Sequence, residues 1–326
     1  MADSNQLVDD GDDDIFVYYV GGDQVPRDVK RAKIDESIDT IPQRAFAGCT
    51  QLIEVVGHKK LKKIEAEAFY RCRRLSRLTK MGGVIEIEQH AFYGCTALSD
   101  LEFDKAEIIG RDAFDYCESL RFINMPSVRR IGEDVFWGCT ALTEAVFSEG
   151  LERIEGVAFY KCTSLRRIGI PLKDGLIIED RAFYDCDNLT RVDIVGGTHH
   201  KAISSLHMES WRNEMKEEID RINQTIPDTP PGEKANAINQ WITSVIDRME
   251  HYKAEHQELL KEALALLELA LWKAKLDEFK IEKVSSKDAN TAKKIKIDMK
   301  AVRQEKRVTS AASVVIKNVL PFLELE

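Results

Sequence analysis

The side chains of this sequence most capable of chemistry are its cysteines and histidines. The seven cysteines are Cys49, Cys72, Cys95, Cys117, Cys139, Cys162 and Cys186, separated by 23, 23, 22, 22, 23 and 24 residues. Thiols in such numbers could hold zinc or pair as disulfides. Zinc wants closely spaced ligands such as Cys-x-x-Cys, four of them converging, and no such pair exists here. Disulfides suit a secreted chain, but an odd number, one per repeat at the same place, argues for packing. Residues 1–14 carry six aspartates and neither the basic nor the apolar stretch of a secretory leader. The cysteines therefore read as a buried structural ladder of small, hydrophobe-like free thiols, which places the chain inside a cell, in the cytoplasm or the nucleus. His199, His200, His207, His251 and His256 lie in the C-terminal half. His251 and His256 are five apart, on different faces of a helix, so they do not converge on a metal. His256 instead reads as a polar residue setting helix register. None of G-x-S-x-G, G-x-x-x-x-G-K-[ST], H-E-x-x-H or G-x-G-x-x-G occurs. The expectation is no enzyme, no catalytic residue, no cofactor and no metal.

The elements that place the cysteines follow from the residues around them. Three residues before each Cys stands a Phe: Phe46, Phe69, Phe92, Phe114, Phe136, Phe159 and Phe183. Three residues after it stands a Leu, from Leu52 to Leu189, and an Ile precedes each Ala-Phe or Val-Phe pair by four residues, from Ile41 to Ile178. The consensus is I-x-x-x-A-F-x-x-C-x-x-L-x-x-φ, where φ is apolar. One such unit cannot bury its own apolar face, but stacked units bury a continuous core. The Leu reads as the start of a short strand, as in 98–103, where Leu101 and Phe103 alternate inward. Ala-Phe-x-x-Cys reads as one tight helical turn at a corner.

This pattern resembles the BspA-like leucine-rich repeats, over about residues 38–197. The resemblance implies a fold and a binding mode rather than a reaction, and its bacterial surface members make a surface adhesin one alternative function. The C-terminal stretches "HYKAEH", "LELALWKA" and "VVIKNVLPFL" further resemble a multigene group of such repeat proteins in diatoms, a resemblance that implies no activity.

A length of 326 residues with 44% hydrophobic residues allows two domains with real cores. A charged fraction of 32% and net charge of −9 fit a soluble protein and argue against whole-chain nucleic-acid binding. No run of 18 apolar residues exists, so no membrane-spanning helix is expected. The fold class is α+β: a leucine-rich-repeat solenoid of about seven repeats, each 22–24 residues, followed by an all-α antiparallel long-helix module. Residues 1–14 read as a disordered acidic tail. Residues 15–197 read as the solenoid, with a strand at 15–20 and an N-terminal cap over 15–40. A long helical hairpin follows over 198–280, and a basic, then apolar, tail over 281–326. Helix one is expected over about 203–223 and helix two over about 232–277, with Thr229 as cap before Pro230. The seam of helix two is Ile238, Ile242, Val245, Met249, Tyr252, His256, Leu259, Ala263, Leu266 and Ala270, in steps of four and three. Helices of roughly 30 and 68 Å cannot cover each other. The apolar stretch 258–274 therefore needs another partner: the last coil, the tail at 294–320, or a second copy as a homodimer.

Two surfaces could bind. Aromatic residues recur at the corner: Tyr70, Tyr93, Tyr116, Trp137, Tyr160 and Tyr184. They are either semi-buried stacking or interface anchors. Variable residues recur two places after each Leu, as Glu54, Arg77, Asp100, Phe122, Glu144, Arg167 and Arg191. Their mixed signs suit a protein partner better than a phosphate backbone, the other reading being an ordinary solvated face. Residues 293–307 hold seven Lys or Arg against Asp298 and Glu305, a possible nucleic-acid contact or nuclear address. The leading expectation is an intracellular protein–protein interaction scaffold. A nucleic-acid-associated adaptor using 293–307 and a surface adhesin are the alternatives.

Overall fold

Each coil of the chain turns three times, and each side of the coil hydrogen-bonds to the coil above and below. The computed structural model describes residues 7–8, 15–18, 25–101, 103–195 and 209–285. It begins with β1 (Leu7–Val8), β2 (Ile15–Tyr18), β3 (Arg31–Ile34), β4 (Thr40–Ile41), β5 (Glu54–Val56), β6 (Lys63–Ile64), β7 (Arg77–Thr79) and β8 (Glu86–Ile87). Next come β9 (Ile108–Ile109), β10 (Phe122–Met125), β11 (Arg130–Ile131), β12 (Glu144–Phe147), β13 (Arg153–Ile154), β14 (Arg167–Ile170), β15 (Ile177–Ile178) and β16 (Arg191–Ile194). Two helices follow, α1 (Glu209–Thr225) and α2 (Lys234–Ser285). The residues divide into two compact units, Met1–His200 with Asn213–Ile246, and Lys201–Arg212 with Asp247–Glu326.

In the first unit the strand after the repeat Leu stacks in parallel register, one period apart, as in Glu54 on Arg77 and Glu144 on Arg167. The strand ending in the repeat Ile does the same from β4 to β15, forming a seven-stranded sheet. The corner makes a third ladder: Phe46 N–H donates to Ala68 O, Phe69 to Ala91 O and Phe92 to Ala113 O, at 2.7–2.8 Å. The repeat Phe rings stack inside this corner, with centroids 5.1 to 5.6 Å apart from Phe46 to Phe183. The corner turns sharply because two residues per coil adopt left-handed backbone. Some are Gly, such as Gly48 and Gly138, but Arg44, Asp112, Tyr116 and Val157 have φ of 54° to 58°. That conformation costs an L-residue roughly 1–2 kcal/mol, and here the corner ladder holds it in place.

Several expectations need correction. The first strand sheet runs β1-β2-β3-β5-β7 and the corresponding later sheet runs β10-β12-β14-β16. Between them, residues 98–101 and 103 form no strand, although Phe103 is buried. Asp disfavours strands, and the Ser99 hydroxyl bonds the Asp100 carboxylate at 2.7 Å, a local alternative to the ladder. Leu7 and Val8, within the segment read as a disordered tail, pair antiparallel with β2. Within the N-terminal cap expected over 15–40, which is not among these corrections, β3 pairs in parallel with both β2 and β5. Thr229 does not cap helix two; its hydroxyl donates to Thr225 O, and Pro231–Glu233 forms a short 3-10 turn before α2. α2 also runs past 277 to Ser285. The rest of 1–14, Tyr19 and Val20, the solenoid end at 196–197, helix one before 209, and the tail from 286 lie outside the described residues.

Candidate interaction surface

The cysteines sit inside the corner, one place behind the rings. All seven are buried and unpaired as disulfides. Each points its thiol at a backbone carbonyl of the preceding coil: Cys72 at Phe46 O, 3.0 Å; Cys95 at Phe69 O, 3.2 Å; Cys162 at Phe136 O, 3.1 Å; Cys186 at Phe159 O, 3.0 Å. Their role is thus more specific than small-residue packing. Burial pushes the Cys49 thiol up to about 11, and those of Cys72, Cys95, Cys117, Cys139 and Cys162 further.

Outside the Phe column runs the aromatic row. Tyr70 stacks on Tyr93 at 5.0 Å, Trp137 lies 4.3 Å from Tyr160, and Tyr160 stacks on Tyr184 at 5.4 Å. Tyr116 meets Tyr93 edge-on at 6.0 Å. Tyr116 and Tyr184 are exposed, and Tyr70, Tyr93, Trp137 and Tyr160 are half-buried. Stacking and exposure therefore coexist in one row. Arg71 and Lys161 lie over Tyr70 and Tyr160, 5.1 and 5.3 Å from the ring centroids, so cations already decorate the surface.

The row is broken at one rung. Asp115 occupies the place between Tyr93 and Trp137 and is only 6% exposed. Its Oδ1, the Asp134 Oδ1 and the Trp137 Nε1 are buried without hydrogen-bond partners. Burial, reinforced by the nearby Asp112 and Asp134 charges, raises the Asp115 carboxyl to about 7. Arg111 answers part of this charge, meeting Asp112 and Asp134 at 3.2 Å each, while His90 lies 3.3 Å from Asp112. Asp115 directly follows Phe114, at the place where Tyr93 and Trp137 follow their own repeat Phe.

The variable strand residues do not form a free row. Arg31 pairs with Glu54 at 3.0 Å, Arg167 with Glu144 at 3.1 Å, and Arg191 with Asp193 at 2.9 Å, while Asp193 also meets Arg167. Arg77, Asp100 and Phe122 are exposed. This face thus spends much of its charge on its own coil-to-coil contacts.

The last coil is closed by the helical hairpin, through residues that sequence reasoning did not single out. Lys234, 1% exposed, donates its ammonium to Cys186 O, Asp187 O and Leu189 O at 3.0, 3.3 and 2.8 Å. Asn239 takes both the N–H and the carbonyl of Ile178, and Asn223 accepts from Val192 N at 2.7 Å. These side chains supply the bonds that another coil would have made. Ile238, Ile242 and Val245 are buried, so the start of the expected seam is a core, whereas Leu266 and Ala270 are exposed. Trp241 donates to Glu218 O at 3.1 Å, tying α2 to α1.

A shallow groove of about 800 Å³ lies beside this hairpin, lined by Arg221, Thr225, Asp228 and Glu233 among others. The Thr225 and Thr229 hydroxyls in its lining donate to the backbone carbonyls of Arg221 and Thr225. Among the described residues no three His, Cys, Asp or Glu side chains are placed to hold a metal, and no helix is long and apolar enough to cross a membrane. His251 is exposed; His199, His200, His207, the His256 side chain and the basic run 293–307 lie outside the described residues.

The family model described as BspA type leucine rich repeat region matches residues 27–143 and 107–219, in six copies. Among solved structures, the chain is similar to a leucine rich repeat protein of T. pallidum, at 24% identity and a TM-score of 0.44, over 63% of this chain and 94% of that one. It is also similar to a leucine rich cell surface protein of Faecalibacterium prausnitzii, at 26% identity and a TM-score of 0.45, over 60% of this chain and 53% of that one. A leucine-rich repeat protein of Bacteroides ovatus matches at 21% identity and a TM-score of 0.29, over 49% and 59% of the respective chains. No curated protein matches the chain.

Proposed function

The chain belongs to the BspA-type leucine-rich repeat family, whose members are in general interaction or surface proteins and typically not enzymes, and from this premise we propose that it is a protein-binding scaffold that engages its partner through the aromatic corner row. The observation that carries this reading is the row itself. Six aromatic rings lie along successive coils in two runs, Tyr70–Tyr93–Tyr116 and Trp137–Tyr160–Tyr184, with neighbouring centroids 4.3 to 6.0 Å apart and with Tyr116 and Tyr184 exposed. Such a row is rigid before a partner arrives, so binding orders few side chains. Tyr and Trp offer large contact area with a polar edge, which is why they dominate interface hot spots. The strand face is the weaker candidate, because its ion pairs are already made. Unpaired thiols in every repeat suit a reducing compartment, which supports a location inside the cell.

The test compares the full chain with a Tyr116→Ser, Tyr184→Ser double variant and with Phe122→Ser on the strand face. Both sets of substitutions fall on exposed side chains and leave the core intact. Partners captured by the wild type from lysate of the source cells are quantified at matched bait. Loss of about 10-fold or more with the tyrosine variant alone supports the corner row. Loss with Phe122→Ser alone moves the site to the strand face and refutes the proposal.

A further inference from the structure

Three arginines on the coil of Cys72 break the charge pattern that other arginines of the solenoid follow. An arginine beside a carboxylate on the adjacent coil pairs with it, as Arg31 does with Glu54, Arg44 with Glu67 and Arg153 with Glu179. Arg71, Arg73 and Arg74 are exposed, and among the described residues none of them meets a carboxylate. Their neighbours above and below are neutral. Arg71 lies between Gly48 and Gly94, since Gly48 N–H donates to Tyr70 O and Arg71 N–H to Tyr93 O. Arg73 lies between Thr50 and Thr96, and the Thr96 hydroxyl donates to Arg73 O at 3.2 Å. Arg74 lies between Gln51 and Ala97 and donates to Gln51 Oε1 at 2.8 Å, which leaves its charge unanswered. Arg27, two coils before Arg73 in the same column, brings Nη1 within 3.7 Å of the point where a Gly48 side chain would begin. Cys72, buried between Arg71 and Arg73, anchors this stretch through its thiol on Phe46 O.

The positive charge is local. Residues 59–80, one repeat, hold nine Lys or Arg against Glu65 and Glu67, while the next repeat, 81–103, holds four acidic residues and no Lys or Arg. Glu118 is exposed in the column of Arg73, two coils on, and Asp112, Asp115 and Asp134 lie on the same coil and the one after it. Coils are about 4.8 Å apart, so an anion that extends more than roughly 10 Å along the corner runs from arginine onto carboxylate. Double-stranded nucleic acid carries one charge about every 1.7 Å and is poorly matched to so short a patch. A peptide that crosses the corner with two or three carboxylates fits it, because each guanidinium offers a planar fork of donors to a carboxylate. Arg71 lies over Tyr70, so an acidic segment bound here abuts the first ring of the aromatic row.

We propose that Arg71, Arg73 and Arg74 are the docking point for a short acidic segment of a protein partner, which names the partner chemistry of the corner-row reading and rests on it. The experiment is fluorescence anisotropy on the full chain at low salt. Its probes are a labelled peptide of alternating Glu and Gly, the same peptide with Gln for Glu, and a single-stranded oligothymidine of equal charge. The test variant is Arg71→Gly, Arg73→Thr, Arg74→Gln, in which each residue becomes one that an adjacent coil carries at the same place, and thermal unfolding checks that the fold is kept. A control variant, Lys33→Gln, Lys59→Gln, Lys62→Gln, removes the same charge from exposed positions off the corner. The wild type should bind the Glu peptide and not the Gln peptide. The arginine variant should weaken that binding about 10-fold or more, Arg73→Thr alone about 3-fold, and the lysine variant less than about 3-fold. Three results overturn the proposal: no preference for the Glu peptide over the Gln peptide, equal weakening by the arginine and lysine variants, or tighter binding of the oligothymidine than of the Glu peptide. The second would reduce the effect to net charge, and the third would assign the patch to nucleic acid. Failure of this proposal and failure of the corner row are read separately. The Tyr116→Ser, Tyr184→Ser variant is scored by partner capture and should leave Glu-peptide binding unchanged.

Discussion

Replacing Asp115 with Asn tests the account of the broken aromatic row, because it removes a charge while keeping the shape. The carboxyl is raised from 3.8 to about 7, first by burial and then by the neighbouring Asp112 and Asp134. A shift of that size corresponds to about 4 kcal/mol between the protonated and ionised forms. The folded pKa lies above the unfolded one, so the folded state favours the protonated carboxyl. Wild-type stability therefore falls as pH rises from about 4 to about 7, and the full penalty is present above that window. Asn carries no such penalty. Its amide leaves a donor that needs a partner at the same buried place, a pH-independent cost of roughly 1–2 kcal/mol. The variant should thus be slightly less stable than the wild type near pH 4. Near pH 8 it should be more stable by about 2–3 kcal/mol. Urea unfolding followed by circular dichroism at pH 4.5, 6, 7 and 8 reads the difference directly. A difference that stays constant across these values would refute the reasoning, since it would mean that Asp115 ionises in the fold as easily as in the unfolded chain.

Three further perturbations have definite expectations. Lys234→Met keeps the stem but leaves Cys186 O, Asp187 O and Leu189 O without their donor, so it should cost about 3 kcal/mol and raise amide exchange first in β16; unchanged exchange there would show that the ammonium does not close the last coil. Cys117→Ala removes a thiol directed at Phe92 O, 3.4 Å away, and opens a small void, for a loss of about 1–2 kcal/mol by thermal unfolding; in the wild type none of the seven thiols should react with a disulfide reagent until denaturant is added. Val157→Gly relieves a β-branched residue held at φ 55° and should raise the urea midpoint by the equivalent of about 1 kcal/mol, whereas the same change at a right-handed position would lower it.

What could be read in advance, and what could not, follows from the geometry of a parallel stack. Residues one period apart become neighbours about 4.8 Å away, so once the Cys spacing is known the contacts of the Phe column and thiol ladder follow. The same arithmetic applies to charge on the strand face, which the sequence alone leaves as either a recognition surface or an ordinary solvated face. Glu54 falls beside Arg31, and Glu144 beside Arg167; opposite signs meet and pair. Arg167 then falls beside Arg191, a repulsive match. Asp193, two residues on, resolves it by meeting both. Period alone therefore predicts that a coil-to-coil like-charge pair must come with a nearby opposite charge. The closing hairpin has no such rule. Lys234, Asn223 and Asn239 lie 31 to 61 residues from the backbone groups they satisfy, at separations unrelated to the repeat. No spacing pattern marks them, and only the requirement that the last coil's carbonyls and N–H groups find partners says that residues of this kind must exist somewhere downstream. A polar side chain buried at the end of a solenoid is therefore better explained by the missing next coil than by a ligand, and this is the reason Lys234 is assigned to the fold.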